Sequence, residues 1–177
     1  DEEIKLLKAE YQNDGFFVIR NFINANVVSD LNNIIDNLKP LAKIPFSKNV
    51  PWGYGNLIKN KDILRSLPID DFVNIVGNFI RSGNKLCNHI LVVDKAPFIG
   101  PDVEWHQEFF NINTYAPGYS TEEDLDCFIQ IFTALDEHNS KNGPLLVFKG
   151  SHNEGLLSCE DIINSNLSKL AIPFKDI

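Results

Sequence analysis

A chain of 177 residues, 44% of them hydrophobic, is long enough for one domain with a real core. Its net charge of -8, without any basic run, argues against a nucleic-acid partner and against an anionic membrane surface. No apolar stretch approaches the roughly 20 residues of a membrane span, and the amino-terminal DEEIKLLKAEYQ lacks the apolar core of a signal peptide.

In that first segment Ile4, Leu6, Leu7 and Tyr11 recur at near-helical spacing, which predicts a helix over 2–13 broken by Asn13-Asp14-Gly15. FFVIRNF (16–22) reads as a short apolar strand. A second helix follows in NANVVSDLNNIIDNLKP, from an Asn cap near 24 to Pro40, with Val28, Leu31, Ile34, Ile35 and Leu38 on one face. Residues 41–58, containing PWGYGN, read as an irregular loop. Trp52 and Tyr54 in it are either packed aromatics or a rim over a substrate. Pro68 and Gly83 bracket a further helix over 68–82.

From there the texture changes to four β runs, 88–97, 103–115, 125–138 and 143–152, separated by turn signals. A helical layer followed by antiparallel strands predicts an α+β fold with a mainly β core, a sandwich or barrel. Cys87, Cys127 and Cys159 are odd in number, sparse and without CxxC spacing. They suit reduced packing residues in a cytoplasmic protein better than a disulfide frame. The chain has no methionine, even at position 1, so it is expected to be part of a longer one.

The second β run, VEWHQEFFNINTY (103–115), carries the chemistry. Alternation along a strand puts Val103, Trp105, Gln107 and Phe109 on one side, and Glu104, His106, Glu108 and Phe110 on the other. His106 and Glu108 therefore point the same way. Taken alone, these residues suit the wet face of a half-exposed strand better than a metal site, though both remain open.

Three segments in order shift that balance: YQNDGFFVIRNFI at 11–23, WHQEF at 105–109 and NGPLLVFKGSH at 142–152. Together they resemble the phytanoyl-CoA dioxygenase family of iron(II)- and 2-oxoglutarate-dependent oxygenases. HILVVDKAP and IQIFTALDEH fit the strands between, and the resemblance covers most of residues 10–155. It implies a double-stranded β-helix (jelly roll) backed by N-terminal helices. As a single domain over 1–177, this would have a helical layer in 1–85 and an incomplete roll from 86 onward.

The resemblance also implies Fe(II) as cofactor and 2-oxoglutarate as cosubstrate, with dioxygen and a small-molecule substrate as the other reactants. His106 and Glu108 would be the catalytic metal ligands. A distal histidine, and an arginine that grips 2-oxoglutarate, are expected beyond Ile177. Glu108 stands where the family has aspartate, and Lys149 replaces a proline before Gly150. Halogenation is disfavoured, because halogenating relatives vacate the carboxylate position that Glu108 fills.

Leu91 and Phe132 align with positions lining the 2-oxoglutarate pocket, and core packing accounts for them equally well. Gln130, on the same strand face as Phe132, would need buried partners that an active-site cavity could provide. His152 reads as a loop residue making local hydrogen bonds, His138 as exposed in a polar turn, and His89 as a satisfied core or edge histidine. The alternative to an oxygenase is a catalytically inactive jelly-roll binding domain that has lost the iron site.

Overall fold

A computed structural model describes residues 2–38, 43–47, 50–55, 57–80, 89–94, 105–107, 129–139, 141–155, 157, 160 and 172–173. Two compact units emerge, one formed by 21–103 with 114–129, the other by 1–20, 104–113 and 130–177. The architecture is mixed α/β, with helices and small antiparallel sheets.

In the first unit, helix α2 (Ala25–Leu38) begins where the Asn24 side chain accepts the Val27 N–H at 3.0 Å, the cap expected at that position. Its buried residues, Leu31 and Ile35, are one helical turn apart and pack toward α3 (Lys61–Ser66). Asn60 caps α3 by accepting from Asp62 and Ile63 at 3.0 and 3.1 Å. Ile63 joins Leu31, Ile35, Tyr54 and Leu57 in the buried core. Burying each such aliphatic side chain stabilises by about 1.5–3 kcal/mol. Helix α4 (Ile69–Val76) starts after Pro68, as its composition predicts. It stops earlier than expected, because Asn78 and Phe79 bond three residues back and tighten the chain into a turn. Phe72 of α4 stacks on Phe22 at 5.4 Å.

The loop expected over 41–58 is instead an antiparallel hairpin, β1 (Lys43–Ser47) with β2 (Val50–Tyr54), followed by a 3₁₀ turn at Leu57–Lys59. Two prolines hid it. Proline cannot donate to a ladder and sits at edges or bulges. Among the described residues β1 is the sheet edge, and the register shifts on both sides of Pro45. On its other side β2 pairs antiparallel with β3 (Val92–Val93), Gly53 opposite Val93 and Tyr54 opposite Val92. Leu57 N–H extends the contact to the Ile90 carbonyl at 3.1 Å.

The second unit contains α1 (Glu2–Asp14), matching the helix expected at the N-terminus. Ile4, Leu7 and Tyr11 form its half-buried stripe, whereas Leu6 is 66% exposed. FFVIRNF, expected as a strand, joins no ladder. Its chain runs without secondary structure over 16–19 and turns at Arg20-Asn21. Residues 130–138, expected within a strand, likewise join no ladder, and the run at 143–152 supplies only β4 (Leu146–Val147). This pairs with β5 (Ile172–Pro173) before the chain enters a 3₁₀ turn at Ser151–Glu154. Asn139 and Asn142 close the polar turn between, Asn142 accepting the Asn139 N–H at 2.8 Å and donating to the Glu137 carbonyl. Among the described residues no helix is long and apolar enough to cross a membrane.

Candidate functional site

Within the second unit the end of α1 meets the Lys149-Gly150-Ser151-His152 turn. The last carbonyls of a helix lack internal partners, and here two of them receive donors from 136 and 140 residues away in sequence. Gly150 N–H donates to the Asp14 carbonyl at 2.8 Å, and His152 Nε2–H donates to the Gln12 carbonyl at 2.9 Å. A carbonyl can only accept, so Nε2 carries the proton. The Lys149 ammonium pairs with the Asp14 carboxylate at 2.8 Å.

Gly15 sits beneath this imidazole at φ +85°, and a Cβ there would lie 2.5 Å from His152 Nδ1. The Asp-Gly that ends α1 thus receives the histidine turn. His152 is structural, as expected, but its bond is long-range and not local.

Trp105-His106-Gln107 is the described part of the candidate metal segment. Trp105 and Gln107 are half-buried and His106 is exposed, the alternation expected of a pleated segment, though these three residues join no ladder. Gln107 is held at both ends of its amide. Nε2–H donates to the Gly155 carbonyl at 2.9 Å, and Oε1 accepts the Leu157 N–H at 2.9 Å. The sequence placed Gln107 on the packing side but contained no signal for these two partners, which follow the histidine turn.

His106 lies on the accessible side of that anchored segment, and Glu108 lies outside the described residues. An imidazole nitrogen and a carboxylate two residues apart are a donor pair that suits non-haem iron(II). Among the described residues no group of three or more His, Cys, Asp or Glu side chains is placed to hold a metal ion.

Leu91 is half-buried beside β3 in the other unit. Gln130 is exposed, which corrects the buried amide expected from the sequence. Phe132 is 39% exposed and meets the His138 ring edge-on at 5.5 Å. His138, expected to be exposed, is half-buried by this contact. Tyr54 is buried and donates to the Asp94 carboxylate at 3.2 Å, which makes it a core residue and not a rim. Burial holds the His89 imidazole below its ordinary pKa of 6.5.

No curated protein and no solved structure matches the chain. Residues 11–160 match the family model of phytanoyl-CoA dioxygenase (PhyH), a span containing the α1 junction, the His106 segment and the histidine turn. With the match running over most of its length, the chain belongs to the phytanoyl-CoA dioxygenase family, within the iron(II)- and 2-oxoglutarate-dependent oxygenases.

Proposed function

We propose that the protein is a 2-oxoglutarate-dependent dioxygenase that hydroxylates a small organic substrate. The observation that carries this is the family match over 11–160, within which the histidine-x-carboxylate pair is kept at His106 and Glu108. In the overall reaction dioxygen gives one oxygen atom to succinate and the other to a substrate C–H bond. 2-Oxoglutarate leaves as succinate and carbon dioxide.

His106 would offer a neutral imidazole nitrogen and Glu108 an anionic oxygen, two of the three protein ligands of a facial site. Bound iron(II) would supply the chelation of 2-oxoglutarate and the activation of dioxygen. The protein's own task is to hold those ligands on one face and leave the opposite face open to the reactants. A jelly roll is the scaffold this family membership favours, with Leu91 and Phe132 toward 2-oxoglutarate.

Anaerobic addition of iron(II) and 2-oxoglutarate tests the proposal. A visible metal-to-ligand charge-transfer band should form in the wild type and be lost in His106→Ala and Glu108→Ala. A second reading draws on Glu108 itself, which stands where the family has aspartate and whose extra methylene moves the oxygen by about one carbon–carbon bond. In that reading the domain binds a ligand without iron, and a wild-type protein that forms no band favours it.

A further inference from the structure

We infer that Gln107 is a positioning residue for the candidate metal ligands, acting as a two-point clamp between their segment and the backbone at 155–157. The inference rests on the oxygenase proposal above. Gln107 lies between His106 and Glu108, so restraining it restrains the peptide units on both sides. Its amide presents a donor and an acceptor, and both are engaged at 2.9 Å, one by the Gly155 carbonyl and one by the Leu157 N–H. This is how one strand's peptide group pairs with the alternate groups of a neighbour. A primary amide on a side chain of this length reproduces it where no ladder runs.

The far side of the clamp is itself anchored. Gly155 adopts φ +73° and ψ -155°, a backbone conformation essentially restricted to glycine. It directly follows the Ser151–Glu154 turn, in which His152 is bonded to Gln12 at the end of α1. Hydrogen bonds at either end, joined by the covalent backbone from His152 to Gly155, therefore connect α1 through the histidine turn to the flank of His106. Residues that orient metal ligands commonly govern metal affinity by about 10- to 100-fold.

The test compares wild type, Gln107→Leu, Gln107→Glu and His106→Ala in the same protein. It measures iron(II) affinity through the anaerobic 2-oxoglutarate band, and Leu157 amide exchange by NMR without metal. Gln107→Leu removes both bonds. It should weaken iron binding by about 10- to 100-fold, shift the band and deprotect the Leu157 amide. Gln107→Glu keeps the acceptor for Leu157 but sets an oxygen against the Gly155 carbonyl. It should retain Leu157 protection with intermediate iron affinity, and it answers the question if the leucine variant does not fold. His106→Ala should lose iron while Leu157 stays protected.

Either of two results in the Gln107 variants overturns the inference: iron affinity and band unchanged from wild type, or Leu157 exchange unchanged in Gln107→Leu. Failure of the wild type itself to form the band marks the oxygenase proposal as wrong, and removes the role of Gln107 toward a metal with it.

Discussion

Replacing Gly15 with alanine probes the junction that joins the first and last family segments. Two separate costs are expected. The residue sits at φ +85°, and placing an L-residue in the left-handed region costs about 1–2 kcal/mol. The new Cβ would also fall 2.5 Å from His152 Nδ1 and 3.0 Å from its Cγ, so the ring must swing away. That breaks its bond to the Gln12 carbonyl, a loss of about 0.5–1.5 kcal/mol. Gly15→Ala should therefore destabilise by about 1.5–3.5 kcal/mol in equilibrium urea denaturation.

A double-mutant cycle with His152→Ala separates the two parts. Without the imidazole only the backbone cost should remain, leaving a coupling of about 0.5–1.5 kcal/mol. Two outcomes refute this account of the junction: a Gly15→Ala cost below about 0.5 kcal/mol, or the same cost with and without His152.

Asn60→Ala removes the cap shared by two N–H groups of α3 and should cost about 1 kcal/mol in the same denaturation assay. Lys149→Ala should cost less than about 1 kcal/mol, since the lysine side chain is 54% exposed, and the difference should shrink in 1 M salt. Glu108→Asp restores the usual family residue and should keep succinate production, measured as 2-oxoglutarate turnover; an inactive variant would mean a pocket rebuilt around the longer side chain. Because burial depresses the folded-state pKa of His89, the unfolded chain takes its proton first as pH falls. The His89 contribution is thus present above pH about 6.5 and is lost as pH falls toward the folded value. His89→Gln should flatten stability against pH in that acidic window, and an unaltered slope there would contradict the assignment.

Local chemistry made α1 and α2 legible in the sequence. An Asn cap and a repeated apolar face act within a few residues, so the start of α2 and the burial of Leu31 and Ile35 follow from neighbours alone. The ordered segments around Gly15, His106 and His152 likewise sufficed to identify the family. The hairpin at 43–54 was not legible, because Pro45 and Pro51 weaken the strand signal and the shifted register that accommodates Pro45 is set by the pairing of the two strands. FFVIRNF has the composition of a strand but gains no ladder, since a strand exists only where another backbone meets its N–H and C=O groups.

The partners of His152 and Gln107 belong to the same class. Sequence could say that an imidazole and an amide need hydrogen bonds. That these fall on Gln12, 140 residues away, and on Gly155 and Leu157, 48 and 50 residues away, was decided by the tertiary fold. A hydrogen bond depends on a separation of about 3 Å and a direction, and neither is encoded by residue spacing once the chain has turned back on itself.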